Sequence, residues 1–397
     1  MSEVQGGFLV MRVSCLQENL AKGLSIVNRA VATRSTLPVL SNVLLATEQG
    51  LLKLAATDLE LAISCWIGAK VEEDGETTVP ARLLTDLVNS LPPERIDMEL
   101  VVRTQALHLT CARNEADLKV VDASEFPLLP AATGEHQIAL PPETLRQMIG
   151  QVAFAAATDE SRPILTGVLA DFSGDKLTLA AADGFRLSVR SAPLGEVGAE
   201  PISVVIPARA LSELSRIAAE EEAPITMTIT PGRNQVLFHL QGNAGALQGK
   251  VFGIDLISQL LEGRFPDYNQ LIPKTRHTRT ILNTGEFLKA CRMANIFARS
   301  EANIIRLSVA PDHMTIYATS AEMGDSVSEI DAHVEGDPII IAFNAKYLID
   351  VLSVVDSAQV ALETTTASSP GVIRPVGDET FTHVIMPMHI RTESANE

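Results

Sequence analysis

At 397 residues, 46% of them hydrophobic, the chain is long enough for two or three cores rather than one. No apolar run approaches the roughly 18–20 residues that span a bilayer, and Phe8-Leu9-Val10-Met11 has no basic stretch before it and no small-residue cleavage site after it. A net charge of −18 and an aromatic content of 4% argue against a uniformly basic nucleic-acid binder and against a stacking platform for single strands.

These features predict a soluble, cytoplasmic protein, with residues 1–10 read as an appended leader ahead of Met11. An acidic total does not exclude a locally basic lining. Cys15, Cys65, Cys111 and Cys291 form no C-x-x-C pair, so they read as small buried hydrophobes in a reducing compartment.

In chain order, residues 14–67 read as a helix, then Leu37-Pro38-Val39-Leu40, then strands, then Ala56-Thr57-Asp58 and a strand from Leu59. The β-branched run Thr77-Thr78-Val79 meets Pro80-Ala81-Arg82-Leu83-Leu84 at a helix start, where a proline's missing N–H costs nothing. Alternation in Ile96-Asp97-Met98-Glu99-Leu100 predicts a sheet with one wet face. The same phrases then recur. A helix over 142–154 precedes Arg162-Pro163-Ile164-Leu165, and a strand runs into Ala181-Ala182-Asp183-Gly184-Phe185-Arg186-Leu187. Val204-Val205-Ile206-Pro207-Ala208-Arg209 repeats the strand–proline–helix junction. Pro38 and Pro163, like Asp58 and Asp183, are about 125 positions apart, the size of an ordinary domain.

A third copy follows. Its helix over 284–299 carries Phe287, Leu288, Cys291, Ile296 and Phe297. Strands are predicted at 304–309, 314–319, 359–364, 371–375 and 382–388, and Phe343-Asn344-Ala345-Lys346-Tyr347-Leu348 stands in the place of the Pro-Ala-Arg helices. The expected fold is therefore α+β, with helices on one face of antiparallel strands, in three repeated domains over 11–133, 134–276 and 277–390. Polar, proline-containing joints near 130–137 and 273–279 mark the boundaries.

Repeats of this kind close into a ring or extend as an array. Three domains of roughly 35 Å leave almost no central hole, whereas six leave an opening of roughly 35 Å, enough for a duplex. A ring around DNA therefore requires a head-to-tail dimer. Lys22 and Arg29, and Arg209 and Arg216, are spaced to share a helix face, as are Lys289, Arg292 and Arg299; Arg82, Arg146 and Lys346 lie on the other helices. Such a lining reads phosphate charge without reading sequence.

Taken in order, Leu37-Pro38-Val39-Leu40-Ser41-Asn42, Thr57-Asp58-Leu59-Glu60, Val79-Pro80-Ala81-Arg82, Ala181-Ala182-Asp183-Gly184-Phe185-Arg186-Leu187, Gly263-Arg264-Phe265-Pro266-Asp267-Tyr268 and Val384-Ile385-Met386-Pro387-Met388 resemble the bacterial DNA polymerase III beta subunit, the replicative sliding clamp. The resemblance runs from about Met11 to Ile390. It implies a dimeric ring that tethers polymerase to duplex DNA. It also implies a pocket for peptides of the polymerase, the clamp loader and repair proteins, and neither cofactor nor metal. Carried over by residue, that pocket comprises Arg162, Leu165, Ala182, Gly184, Phe185, Arg186, Leu187, Pro266, Leu271, Asn344, Tyr347, Val384, Met386, Pro387 and Met388. Arg34, Arg82 and Arg209 fall at DNA-facing positions of the family, and Ile296 and Phe297 near its dimer contact.

Ala182 stands where the family usually has threonine, Phe185 where histidine is common and His389 where arginine is common, which implies a more apolar, less basic pocket edge. The loop at 364–370 departs from the family pattern, and 391–397 extends beyond its usual end.

Two other readings compete. An enzyme is one, but the eight histidines have no metal-ligand spacing, Gly242-Asn243-Ala244-Gly245 is too short for a phosphate loop, and no serine sits in a nucleophile elbow. Asp183-Gly184 reads as a tight turn rather than a catalytic carboxylate. A scaffold without DNA is the other.

Overall fold

The same order of strands and α-helices occurs three times along the chain. The computed structural model describes residues 11–32, 34–129, 136–194, 201–242, 249–300 and 302–389. Residues 1–10, expected to be an appended leader, residues 130–135 of the first joint and residues 391–397 lie outside them.

The first copy runs β1 (Arg12–Leu16), α1 (Gln17–Val27), β2 (Asn42–Glu48), β3 (Leu51–Thr57), β4 (Leu61–Glu73), β5 (Glu76–Pro80), α2 (Ala81–Ser90), β6 (Arg95–Val101), β7 (Ala106–Cys111) and β8 (Asn114–Lys119). The second runs β9 (His136–Leu140), α3 (Pro142–Val152), β10 (Gly167–Ser173), β11 (Lys176–Ala182), β12 (Arg186–Pro193), β13 (Ile202–Pro207), α4 (Ala208–Ile217), β14 (Ile225–Ile229), β15 (Gln235–Leu240) and β16 (Val251–Gln259). The third runs β17 (Thr278–Asn283), α5 (Thr284–Ala298), β18 (Ile304–Val309), β19 (His313–Ser320), β20 (Gly324–Gly336), β21 (Ile339–Asn344), α6 (Ala345–Leu352), β22 (Gln359–Thr364), β23 (Gly371–Pro375) and β24 (Phe381–Ile385).

Two compact units cut across this repeat: residues 1–146 with 213–260, and residues 147–212 with 261–397. Each unit holds one 12-stranded sheet. In the first, β4 of copy one pairs with β16 of copy two; in the second, β12 of copy two pairs with β24 of copy three. Strand pairing, not a flexible linker, thus continues one copy into the next.

Local chemistry explains the helices. In α1, Leu20, Leu24 and Val27 are buried, while Lys22 and Ser25 point away from the core; in α2 the buried stripe is Ala81, Leu84 and Val88. Pro80 ends β5 and serves as the N-cap position of α2. Helix α5 is capped by Asn283, whose Oδ1 accepts from Glu286 N at 3.0 Å. It buries Phe287 and Cys291 in a core shared with Phe343 and Phe381. All four cysteines are free and buried, and burial pushes the Cys15 thiol up to about 12.

Several boundaries differ from expectation. β4 begins at Leu61, not Leu59, because Asp58 Oδ1 accepts from the N–H groups of Glu60 and Leu61 and holds a turn open. The strand predicted at 382–388 stops at Ile385, where Pro387 removes a ladder donor. Of the apolar residues predicted on α5, Phe287 and Cys291 are buried and Ile296 is 55% exposed.

Candidate functional site

Within the second unit, the turn from β11 to β12 repeats the Asp58 chemistry. Asp183 Oδ1 accepts from Phe185 N at 2.8 Å and Arg186 N at 2.9 Å. Gly184 takes φ +92°, and a Cβ there would stand 2.9 Å from Arg162 Nη1. Glycine adopts this angle without strain, whereas a Cβ would have to push aside the end of the Arg162 side chain that crosses it. Arg162 Nη2 donates to Asp183 O at 3.1 Å.

Register then builds an apolar row across four strands. Ala182 pairs with Leu187, Leu187 with Val384, and Val384 with Val372. Directly paired residues point to the same face, so these four share one side of the sheet. Leu165, Val205 and Phe265 complete the cluster, with Tyr268 and Ile272 packed on it. Burial raises the Tyr268 phenol, with Asp171 adding to the shift. Phe185, Leu271 and Met386 are large apolar side chains left exposed, at 56%, 50% and 44%. Met386 N donates to Phe185 O, and Met388 N donates to Ala342 O, each at 2.8 Å. The 386–388 segment is thereby pinned at both ends although it lies outside the strand.

Behind the turn, Arg186 connects three elements. Its side chain, 11% exposed, donates from Nε to Asp183 Oδ2 at 3.1 Å, from Nη1 to Asp350 Oδ2 at 2.6 Å and from Nη2 to Phe154 O at 2.8 Å. The guanidinium lies 4.4 Å from the Tyr347 ring centre and 5.3 Å from that of Phe154. Phe154 also stacks on His383 at 5.5 Å. His383 is fully buried, with Nδ1 2.6 Å from Ser188 Oγ. Burial, and then the Arg186 charge, push its imidazole down to about 3. Burial likewise raises the Tyr347 phenol, with Asp183 adding to the shift.

The predicted pocket residues therefore fall into distinct positions. Leu165, Ala182, Leu187 and Val384 are in the buried cluster; Arg162, Gly184, Phe185 and Met386 are at its exposed edge. Pro266 and Leu271 lie on the segment that carries Phe265, Tyr268 and Ile272 onto the cluster. Arg186 and Tyr347 stack behind it. Asn344 caps α6, its Oδ1 accepting from Lys346 N at 2.9 Å, while Pro387 and Met388 are half-buried. Residue-level reading missed Phe154, Val372, Asp350 and His383. Val372 follows the divergent loop, and the other three take part only through Arg186 or its stack.

The predicted basic residues are placed less uniformly. Lys22 pairs with Glu220 at 2.7 Å and Arg29 with Glu213 at 2.9 Å, so acidic side chains offset both. Arg34, Arg146, Arg209 and Lys289 are exposed. So are Arg82, 3.8 Å from Asp86 across one turn, and Arg292, which donates to Ser353 Oγ at 3.3 Å. Ile296 and Met293 are exposed on α5, while Phe297 is half-buried against its core.

Comparison with known proteins matches the DNA polymerase III beta subunit domain by domain: the N-terminal domain at residues 11–130, the central domain at 139–267 and the C-terminal domain at 269–389. A beta sliding clamp of Staphylococcus aureus is 32% identical over 370 residues, covering 91% of this chain and 94% of the relative. One from Synechocystis is 33% identical over 400 residues, covering 96% and 100%. The DNA polymerase sliding clamp of Bacillus subtilis superposes with a TM-score of 0.88 at 31% identity, covering 96% of this chain and 99% of that one. A Pseudomonas aeruginosa sliding clamp solved bound to griselimycin gives 0.86 at 28% identity, covering 96% and 100%. This chain belongs to the DNA polymerase III beta subunit family, the bacterial sliding clamps.

Proposed function

We propose that two chains close head to tail into a ring around duplex DNA and tether the replicative polymerase, with domains over 11–133, 134–276 and 277–390. The carrying observation is the threefold element order, together with a family match that spans all three copies. The chain catalyses nothing in this role. It works in the cytoplasm, and no helix among the described residues is long and apolar enough to cross a membrane. Arg34, Arg82, Arg146, Arg209, Lys289 and Arg292, with Lys22 and Arg29 released from their carboxylates, contact phosphate and not bases, so the contact is weak and salt-sensitive. The apolar cluster around Leu187 and Val384, edged by Arg162, Phe185, Leu271 and Met386, takes peptides of the polymerase, the clamp loader and repair proteins. A griselimycin-bound relative supports a ligand site on this fold.

Loaded by a clamp loader, the protein is expected to stay on circular DNA through gel filtration and to run off once the circle is cut. Equal loss from circles and linear DNA would sink the topological mechanism.

The dimer reading rests on unpaired edges. Among the described residues, β8 pairs only with β7, and residues 324–331 of β20 pair only with β19. An exposed edge invites another strand. In the first copy α2 exposes Leu83, while α5, packed against β20, exposes Met293 and Ile296, and β20 itself exposes Val327. A contact of one copy's α2–β8 edge with the second copy's α5–β20 edge is heterologous and closes after two repeats. Ile296→Asp is expected to give monomers in sedimentation at micromolar concentration with an unchanged melting temperature. A persistent dimer would remove α5 from the interface.

A further inference from the structure

The apolar row beneath the candidate pocket does not end at Val372. Val372 pairs with Glu363, Glu363 with Arg279 and Arg279 with Glu335, so the same face of the same sheet turns from apolar to charged within one strand spacing. Glu363 is buried at 7% exposure and is surrounded by three guanidinium groups. Arg276 Nη1 donates to its Oε1 and Arg374 Nη1 to its Oε2, each at 2.6 Å, and Arg279 Nε lies 3.7 Å from Oε1. Arg374 also donates from Nε to Thr382 Oγ1 at 3.3 Å, two residues before Val384 of the apolar row. Among the described residues, Glu335, 3.6 Å from Arg279, is the other carboxylate paired with the group. Three cations against two carboxylates leave a surplus positive charge. One well-placed arginine is enough to satisfy a buried carboxylate bidentately, so the surplus exceeds what Glu363 needs.

We propose that Arg276, Arg279 and Arg374 form an acidic-residue subsite adjoining the peptide pocket, so that the preferred partner peptides carry an Asp or Glu beside their apolar anchors. This rests on the peptide-pocket reading above. Strands are about 4.8 Å apart, so Val372 and Arg279 are separated by about 10 Å, which three extended residues span at about 3.3 Å each. The acidic residue belongs three to five positions from the nearer anchor. Arg276, the half-exposed member of the cluster, is the group most able to reach it, and guanidinium suits a carboxylate partner better than ammonium does. The loss of a basic edge residue implied by His389 is thus compensated on the other side of the cluster.

Selecting a random-sequence peptide display library on the intact protein tests this, with an Arg276→Gln variant selected in parallel and its fold checked by thermal melting. Wild type is expected to yield peptides with an apolar pair and an acidic residue three to five positions away; the variant should keep the pair and lose the acid. By fluorescence polarisation, Asp→Asn in a selected peptide should weaken binding to wild type about tenfold at low salt and leave binding to the variant unchanged. If Arg276→Gln fails to fold, Arg276→Lys, which keeps the charge but not the planar fork, replaces it and should lose part of the preference. An apolar pair with no acidic enrichment on wild type would overturn the subsite and leave the pocket standing. Peptides without an apolar pair would overturn the pocket reading as well.

Discussion

Arg186→Ala is expected to cost about 3 kcal/mol of local stability, within the range for breaking a buried ion pair, and to weaken peptide binding by more than tenfold. The guanidinium makes three charge-assisted bonds and lies over two aromatic rings. Its removal leaves Asp183, only 14% exposed, without its cation. Asp350 is 42% exposed, so water recovers much of that second pair, and the estimate stays at the lower end of the range. Hydrogen exchange in β12, β24 and α6 is the suitable readout, because a chain with several cores does not unfold in one step. Arg186→Lys should recover little, since ammonium cannot donate in a fork or stack flat on Tyr347. Protection within 1 kcal/mol of wild type, with peptide affinity intact, would show that the turn and α6 hold themselves in place.

Acidification should weaken the protein through His383 before the carboxylates take part. Its folded value is pushed down to about 3 from an unfolded value near 6.5. Between these two values the unfolded chain binds the proton and the folded chain does not. The stabilisation is therefore fully present above pH 6.5 and is lost as pH falls through that window, at about 1.4 kcal/mol per unit. About 2 kcal/mol should disappear between pH 6.5 and 5. His239 acts in the opposite sense. Its hydrogen bond to Asp255 raises its value, so its contribution is present at low pH and lost as pH rises. A His383→Phe variant isolates the effect: Phe keeps a ring against Phe154, and the missing bond to Ser188 is a constant offset. Denaturation profiles of wild type and variant should differ in slope from pH 6.5 to 5. Parallel profiles would mean that His383 takes up a proton while folded.

Some of the site was legible because its chemistry is local. Asp183-Gly184 reads as a turn because a short carboxylate beside a residue free to take positive φ makes one wherever it occurs. Asp58 proves the point in the first copy, where Leu59 adopts φ +80° without glycine's freedom. Pro80 and Pro207 mark helix starts for an equally local reason. Other features were not legible. Lys22 and Arg29 read as free basic groups because their carboxylates, Glu220 and Glu213, lie nearly 200 positions away. Ile296 read only as one of the apolar residues on its helix, because helical spacing identifies a stripe without saying whether the chain itself covers it. The long strand β20 was missed: almost every second residue along it is exposed and the rest are only partly buried, so it has little of the apolar alternation that marks a strand.

The threefold repeat and the types of most elements were determined by the sequence alone, through signals that act within a few residues: alternation, caps, prolines and turn carboxylates. The tertiary structure decided which residues meet. A period of two shows which side of a strand a residue occupies, but not which strand lies beside it or in what register. Only those pairings align Ala182, Leu187, Val384 and Val372 into one apolar row, and only they place Glu363 and its three arginines at the end of it.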